Sequence, residues 1–298
     1  MPISRRTILT AGSGAFLSLA AAPETLAAAP VADFGGPPTV AGFNLGCQAW
    51  SFNHFTALEA IEKTAQAGGV TIEFYPGQKV GGDFAGMGLD PNASDAAIDL
   101  VKANVAKAGL RAVAFGVTGL GKNEVEDRKT FDFAKKMGIG TIVTEPDPAG
   151  MDVIEKLVKE YGTRVAIHNH PRQSNNPGYQ FWNPDYTLSL VGNRDKRIGS
   201  CSDIGHWVRS GVKPVEALRK LKGRVLEVHL KDLNEFSPNG HDVPFGTGVS
   251  DVPAVLVELR RQKFDGNISI EYEYDMENSL PQISQCIGFV RGWGARVA

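Results

Sequence analysis

The sequence predicts an α/β protein made of a single (β/α)8 barrel (TIM barrel), and three observations support this prediction. Segments with strand-like alternation and segments with helical spacing follow one another eight times along the 298 residues. Four apolar segments in the second half each end on a side chain able to bind metal, at intervals typical of the roughly 30 residues in one βα unit. No glycine-rich nucleotide-binding motif follows a predicted strand. A closed parallel barrel therefore explains the pattern better than an open doubly wound sheet.

The predicted elements can be placed in chain order. The first four strands are expected at 43–50, 70–73, 111–115 and 141–144, and the first four helices at 57–67, 96–108, 124–137 and 152–161. The last four strands are expected at 165–170, 198–203, 225–230 and 268–273, with helices near 185–191, 214–221 and 252–261 and a final helix within 281–293. In the first helix, Leu58, Ile61 and Ala65 recur at helical spacing, and Gly68 and Gly69 mark the end. The predicted barrel domain spans residues 43–293.

In the last four strands, an apolar face opposes a face that carries potential ligands, because successive side chains of a strand point to opposite sides. The apolar faces comprise Val165, Ile167, Leu226, Val228, Leu230, Ile268, Ile270 and Tyr272. The opposite faces comprise Ala166, His168, His170, Gly199, Cys201, Asp203, Glu227, His229, Lys231, Ser269, Glu271 and Glu273. This alternation is expected of strands packed under helices on one side and lining a polar barrel mouth on the other.

Four residues on the polar faces predict a metal site. Asp203 follows His168 by 35 residues, His229 follows Asp203 by 26, and Glu271 follows His229 by 42, as consecutive barrel strands require. Two carboxylates and two imidazoles suit one divalent transition ion, such as Mn²⁺, Co²⁺, Fe²⁺ or Zn²⁺, better than Mg²⁺. We therefore predict that one such ion is bound by His168, Asp203, His229 and Glu271.

Three long connections follow predicted strands, at 77–94, 171–184 and 232–250. Connections after strands lie at the carboxyl-terminal mouth of a barrel, where active sites are found. The 171–184 connection carries Arg172 and Trp182, which are predicted to contact a sugar substrate. The alternative is a packed loop that uses Trp182 as a surface anchor.

Several segments resemble one known family, the xylose isomerase-like TIM barrels, which include sugar isomerases, tagatose- and psicose-type 3-epimerases, inosose dehydratases and endonuclease IV. The matching segments are Val-His-Leu-Lys-Asp at 228–232, Phe-Gly-Thr-Gly-Val-Ser-Asp at 245–251 and Phe-Asp-Gly-Asn-Ile-Ser-Ile-Glu at 264–271. Asp203-Ile204-Gly205-His206 is similar to the family's Asp-x-x-His after the sixth strand. The likeness covers 43–293.

The resemblance assigns metal binding to Asp203, His229 and Glu271, and it places His206 near substrate oxygens. His168 departs from the pattern, since many epimerases of the family carry an acid/base glutamate at this position. Some dehydratase-like relatives have a histidine there, so the resemblance still allows His168 to bind the metal.

The proton-transfer groups of the predicted active site then have to come from other residues. Glu271 or a histidine is the predicted base. His170, Glu145 or Lys231 is expected to supply the second proton-transfer group. Gln48 and Glu73, in the first two predicted strands, are further candidates for substrate contact.

The function that this resemblance implies is that of a divalent-metal-dependent sugar isomerase or epimerase. Such an enzyme removes a proton beside a carbonyl and passes through an enediolate. A 3-keto-glycoside lyase or hydratase would share the first step and forms the close alternative. A non-catalytic exported sugar-binding protein is the alternative from another class. A DNA endonuclease is disfavoured because the net charge of −2 offers no basic field for phosphates.

The first 29 residues are predicted to be a twin-arginine export signal. Arg5 and Arg6 precede an apolar stretch, 8–22, and small residues follow at 25–29. An alanine-rich helix is the structural alternative. The stretch is shorter than the roughly 20 residues of a membrane span, so we expect no stable span, a partnership with the twin-arginine machinery and a periplasmic or exported location. A linker is expected over 30–42. Cys47, Cys201 and Cys286 are expected to be buried thiols.

Overall fold

Eight parallel strands close into a barrel in the computed structural model, which describes residues 39–297. Each strand pairs with its neighbours in chain order, and the first strand pairs with the last, Asn44 facing Asn267. The strands are β1 Asn44–Gln48, β2 Thr71–Phe74, β3 Arg111–Thr118, β4 Thr141–Thr144, β5 Arg164–Ile167, β6 Ile198–Asp203, β7 Val225–Leu230 and β8 Asn267–Ile270. The predicted (β/α)8 barrel is confirmed.

Helices alternate with the barrel strands. They are α1 Ala57–Ala67, α2 Asp95–Lys107, α3 Glu124–Met137, α4 Met151–Tyr161, α5 Pro184–Val191, α6 Ile204–Arg209, α7 Pro214–Lys220, α8 Val252–Arg261 and α9 Leu280–Val297. Two helices therefore separate β6 from β7, and the sequence predicted only the second of them. The last helix is also longer than predicted. The end of α1 follows the sequence pattern, because Gly68 adopts a left-handed conformation with φ of 89°.

Two of the three long connections contain β-structure that the sequence did not predict. Gln78–Gly81 pairs with Phe84–Leu89 as an antiparallel hairpin after β2, and Asp232–Leu233 pairs with Asp242–Val243 after β7. The 171–184 connection has no helix or strand before Pro184. Each of these connections begins after the carboxyl end of a strand.

The core has an outer layer and an inner cluster, as the alternation predicted. Val165, Ile167, Val228 and Ile270 belong to the large outer core. Ala114, Val143, Ala166 and Cys201 form a small cluster of their own, joined by Leu226. The prediction for Leu226 was wrong, because Cys201 pairs with Glu227 while Ser200 pairs with Val225. This bulge makes Leu226 an extra residue and changes the face to which it belongs.

The proposed signal at 1–29 and most of the 30–42 linker lie outside the described residues. Within 39–297, no helix combines the length and the apolar character needed to cross a membrane. All three cysteines are free and buried. Burial raises the pKa of the Cys47 and Cys286 thiols to about 12, so these thiols stay protonated at neutral pH.

Candidate active site

A cavity of about 320 Å³ opens where the carboxyl ends of the strands meet. This volume lies within the range of small-molecule sites. Its lining divides into two chemical groups. The ends of β5, β6 and β8 supply the polar group, which consists of His168, His170, His206, Glu271 and Glu273. The ends of β1, β2 and β3 supply the other group, which consists of Gln48, Trp50, Tyr75, Pro76, Gly116 and Val117.

His168 is the first residue after β5 and is almost fully buried. Its backbone N–H donates to the carbonyl of Thr144 in the neighbouring strand, which fixes its position at the strand end. Nδ1 lies 3.3 Å from Glu145 Oε1, and Nε2 lies 3.7 Å from Asp203 Oδ2. One nitrogen of the ring thus faces Glu145, and the other faces Asp203.

Asp203 ends β6 and is completely buried. Asn169 holds its backbone on both sides: the Asn169 amide donates to the Asp203 carbonyl at 3.0 Å, and the Asp203 N–H donates to Asn169 Oδ1 at 2.9 Å. Oδ1 caps α6 by accepting from the His206 N–H at 2.7 Å. Burial alone would raise the pKa of this carboxyl, but His206, Lys231 and His168 outweigh that effect and lower it. Asp203 is therefore ionised at neutral pH.

His229 projects from β7 into the barrel and has no exposed surface. Its Nε2 lies 2.9 Å from Glu73 Oε2. Its Nδ1 lies 3.3 Å from Glu271 Oε2 and 3.9 Å from Asp203 Oδ2. Burial opposes protonation of the ring, but Cys201, Glu73 and Glu271 outweigh it and raise the pKa of His229 well above its usual range.

Glu271 follows β8 directly and shares a buried lysine with two other carboxylates. Lys231 Nζ lies 2.7 Å from Glu271 Oε2, 3.5 Å from Asp203 Oδ2 and 2.5 Å from Glu273 Oε2. Burial favours neutral lysine, but these three carboxylates raise the pKa of Lys231, so it remains a cation. A Cβ on Gly205 would lie 2.8 Å from the Lys231 side chain, so a glycine in α6 leaves room for this lysine. A permanent cation cannot serve as a base.

His206 in α6 borders the cavity from the side of β6. Its Nε2 lies 3.7 Å from Asp203 Oδ2, and its Nδ1 lies 3.0 Å from the Arg209 guanidinium. Burial and the positive charge of Lys231 lower the pKa of His206 well below its usual range, although Asp203 acts in the opposite direction. His206 is therefore a neutral imidazole at neutral pH.

Glu145 follows β4, and one of its carboxylate oxygens lies within hydrogen-bond distance of three residues. Its Oε1 lies 3.3 Å from His168 Nδ1, 2.6 Å from His170 Nδ1 and 2.6 Å from the Tyr179 hydroxyl. Burial raises the pKa of Glu145, but the hydrogen bonds and charges of His168 and His170 prevail and lower it. Glu145 lies behind both histidines: His168 and His170 line the cavity, and Glu145 does not.

The donor set fits a divalent metal ion. Ligand atoms of His168, Asp203, His206 and Glu271 all lie within 4.8 Å of one another, and all four residues are buried. Among residues 39–297, His168 Nε2, Asp203 Oδ2 and His229 Nδ1 have no hydrogen-bond partner. Buried polar atoms without partners are costly, and a cation bound between them would satisfy all three. The Glu145, His168 and His170 group also meets the spacing of a metal site, but its carboxylate oxygen already holds both rings.

Comparison with known proteins gives the family. The family model described as the xylose isomerase-like TIM barrel matches residues 61–291. The chain belongs to the xylose isomerase-like TIM barrel family. Among proteins with curated functions, none matches the chain.

Solved structures share this barrel. An uncharacterised protein from Parabacteroides distasonis is 34% identical, with a TM-score of 0.68 over 84% of this chain and 98% of that chain. A D-tagatose 3-epimerase-like protein is 19% identical, with a TM-score of 0.62 over 86% and 100% of the two chains. The 3-keto-D-glucoside 4-epimerase of E. coli is 16% identical, with a TM-score of 0.62 over 84% and 99%. The last two likenesses concern the fold.

Within this xylose isomerase-like barrel, three of the four predicted ligands, His168, Asp203 and Glu271, belong to the group that could hold an ion, in which His206 takes the fourth place. The fourth predicted ligand, His229, lies beside this group, with Nδ1 3.3 Å from Glu271 and 3.9 Å from Asp203.

Two of the five residues predicted to contact substrate line the cavity. These are Gln48 and His206. Gln48 Nε2 donates to the Gly116 carbonyl at 2.9 Å, so it also ties β1 to β3. Glu73 is completely buried behind His229, because its strand points it into the barrel below the cavity. Its assignment to substrate contact is therefore corrected to a support of His229.

Arg172 and Trp182 pack against each other in the 171–184 loop. The guanidinium carbon lies 5.1 Å from the centre of the Trp182 ring, and the indole N–H donates to the Tyr179 carbonyl at 3.1 Å. In the described residues, neither lines the cavity. Sequence reasoning missed Trp50 and Tyr75, which line it with perpendicular rings 5.0 Å apart. Their positions at or near the ends of the predicted strands 43–50 and 70–73 were the available signal.

Proposed function

We propose that this protein is a divalent-metal-dependent enzyme of the sugar isomerase/epimerase type. The observation that carries the proposal is the set of three buried ligand atoms that make no hydrogen bond in the described residues, on His168, Asp203 and His229, beside the cavity. Such atoms in a barrel mouth are typical of a site prepared for an ion and a substrate.

His168, Asp203, His229 and Glu271 would hold the ion. When bound, the ion would act as a Lewis acid that polarises a carbonyl of the substrate and stabilises developing negative charge. The ring nitrogens and carboxylates of this set suit Mn²⁺, Co²⁺, Fe²⁺ or Zn²⁺. Lys231 offsets only one of the three negative charges of Asp203, Glu271 and Glu273, so negative charge remains to attract the ion.

His170 is the residue best placed to move the substrate proton. It lines the cavity, and Glu145 Oε1 accepts from its Nδ1 at 2.6 Å. This bond orients the ring and leaves Nε2 free to take a proton from the carbon beside the carbonyl. Glu145 remains ionised and supports the positive ring that results. Glu271, which also lines the cavity, is the second candidate for this step.

The apolar part of the cavity supports a carbohydrate substrate. Trp50 and Tyr75 present aromatic surface on the side of β1 and β2, and the polar group lies on the side of β5 to β8. A sugar ring has an apolar face and hydroxyl groups at its edge, so it can use both groups at once. The similarity of the barrel to a D-tagatose 3-epimerase-like protein and a keto-glucoside epimerase accords with this choice.

A proton-exchange experiment tests the proposal. Keto-sugars and 3-keto-glycosides are incubated in D₂O with the Mn²⁺-loaded protein, and NMR follows exchange of the proton beside the carbonyl. We expect exchange with at least one substrate, its loss in Glu271→Gln, and unchanged exchange in the exposed control variant Glu62→Gln.

The products separate the alternatives. An epimer or an aldose–ketose pair supports the isomerase or epimerase. An unsaturated or cleaved sugar would identify a lyase or hydratase that shares the first step. If calorimetry shows sugar binding but no substrate exchanges its proton, the protein is a binding protein and the proposal fails.

We also propose that residues 1–29 act as a twin-arginine signal, with a linker over 30–42, and that the enzyme works in the periplasm. Arg5 and Arg6 before the apolar stretch support this proposal. We expect the full chain to reach the periplasm of a host with the twin-arginine pathway, and the double variant Arg5→Lys, Arg6→Lys to remain in the cytoplasm. Equal export of both forms would contradict the proposal.

A further inference from the structure

Three buried imidazoles converge on one carboxylate oxygen. The distances to Asp203 Oδ2 are 3.7 Å from His168 Nε2, 3.7 Å from His206 Nε2 and 3.9 Å from His229 Nδ1. By distance alone, each ring is a candidate ligand for the ion. A ring nitrogen can bind a metal only through a free lone pair, so the position of the ring proton decides which of them does.

The outer partners of His168 and His229 are carboxylates. Glu145 Oε1 faces His168 Nδ1 at 3.3 Å, and Glu73 Oε2 faces His229 Nε2 at 2.9 Å. A carboxylate accepts a hydrogen bond, so it holds the ring proton on the outer nitrogen. Metal binding requires a deprotonated inner nitrogen, and the outer carboxylate keeps the remaining ring proton on the other side, so the inner lone pair is the one that can face an ion. His168 Nε2 and His229 Nδ1 are also without hydrogen-bond partners in the described part of the chain.

The outer partner of His206 has the opposite character. Arg209 Nη1 lies 3.0 Å from His206 Nδ1. A guanidinium has only donors, so the nitrogen that it contacts must be the acceptor. The neutral His206 ring then carries its proton on Nε2, which is the nitrogen directed toward Asp203 and the ligand cluster.

Arg209 is itself held in place. Its Nε donates to the Gly240 carbonyl at 2.9 Å, Nη1 also donates to Glu273 Oε2 at 3.1 Å, and Nη2 lies 3.3 Å from Asp242 Oδ2. Its side chain is 13% exposed. These contacts bring the guanidinium from α6 against the loop after β7 and leave the second N–H of Nη1 for the imidazole.

We propose that Arg209 is a positioning residue that keeps His206 as a hydrogen-bond donor and outside the ligand set of the metal. The Nε2–H then donates to a substrate oxygen, and the ligands are His168, Asp203, His229 and Glu271. The inference rests on the proposed function for the ion, but the proton position on His206 is a property of the metal-free protein.

The first test is ¹⁵N NMR of metal-free wild-type protein labelled on the histidine rings, with His206→Gln to assign the signals. We expect an unprotonated Nδ1 and a protonated Nε2 for His206. A proton on Nδ1, or on both nitrogens, would overturn the inference. This measurement needs no variant of Arg209.

The second test compares Arg209→Met and Arg209→Lys, with Arg172→Met as the control for loss of an exposed arginine. We expect Arg209→Met to shift the His206 proton toward Nδ1, and Arg209→Lys to retain the wild-type pattern because it still donates. With Co²⁺ bound, Arg209→Met should change the visible absorption spectrum as a third imidazole joins the ion. The Arg172→Met spectrum should match wild type.

Folded Arg209→Met with unchanged ¹⁵N signals and an unchanged Co²⁺ spectrum would also overturn the inference. If that variant does not fold, the wild-type ring signals decide the matter. Failure of wild type to bind Co²⁺ would contradict the proposed function, and the metal-free NMR would still judge the role of Arg209.

Discussion

Glu73 lies below the cavity and contacts His229, one of the proposed metal ligands. Its Oε2 faces His229 Nε2 at 2.9 Å and also accepts from Ser269 Oγ at 2.7 Å. Outer carboxylates of this kind orient a histidine ligand and increase its basicity. Glu227 lies in the same polar network, where Asn267 and Ser269 donate to it, but it makes no hydrogen bond to the imidazole.

Glu73→Gln is expected to weaken metal binding by about tenfold or more, since outer-shell changes typically cost 10–100-fold. An amide oxygen is a weaker acceptor and allows the His229 ring to turn. The affinity is measured by competition with a coloured chelator.

Glu227→Gln is the matched control for Glu73→Gln. Burial and the nearby Glu73 raise the pKa of Glu227 well above its usual range, so its carboxyl is neutral and the amide replaces it with little change. Equal affinity in Glu73→Gln and wild type would refute the role of Glu73.

Asp203 has two separable functions, since one oxygen caps α6 and the other faces the three imidazoles. We expect Asp203→Ala to lose metal and also about 1 kcal/mol of stability from the lost cap. Asp203→Asn should lose metal but keep more of the stability, because its amide oxygen can still accept from the His206 N–H. Metal content and melting temperature are measured for both. Unchanged metal stoichiometry in Asp203→Ala would remove Asp203 from the site.

At the scale of elements, alternation along single strands was enough to predict which residues face the barrel interior. Prediction from alternation failed where the structure of one segment is set by its pairing with another segment. The bulge at Leu226 exists only in the pairing of β6 with β7, and the hairpin over 78–89 requires two segments to meet. Asp232 is a similar case, since it accepts from the N–H groups of Gly246, Gly248 and Ser250.

Helix α8 allows a pH-dependent test of stability. Hydrogen bonds from Arg261, Gln262 and Arg219 lower the pKa of Glu258 to about 2, although burial acts in the opposite direction. Because the folded pKa lies below the ordinary value, the stabilisation is complete above about pH 4.5 and is lost as the pH falls toward 2.

Glu258→Gln should therefore lower the free energy of unfolding by about 1 kcal/mol at neutral pH, since its arginine partners are exposed. The difference from wild type should shrink between pH 4.5 and pH 2. Urea unfolding at several pH values measures it, with the exposed Glu62→Gln as control. A constant difference across this range would refute the account of Glu258.

At the scale of the whole molecule, the sequence was sufficient for the barrel and for the four residues that we propose as ligands. Strand period and spacing carry that information. The outer partner of His229 could not be predicted, because it comes from a distant part of the chain: Glu73 and His229 are separated by 156 positions. The aromatic pair of Trp50 and Tyr75 is likewise formed only when β1 and β2 lie side by side.

We propose that the buried histidines and carboxylates form one metal centre. The most direct measurement is elemental analysis of protein purified without chelator and without a histidine tag, for wild type, His229→Ala and the exposed control His54→Ala. We expect one transition-metal ion per chain in wild type and in His54→Ala, and its loss in His229→Ala. Absence of metal from wild type even after reconstitution, or full occupancy in His229→Ala, would contradict it.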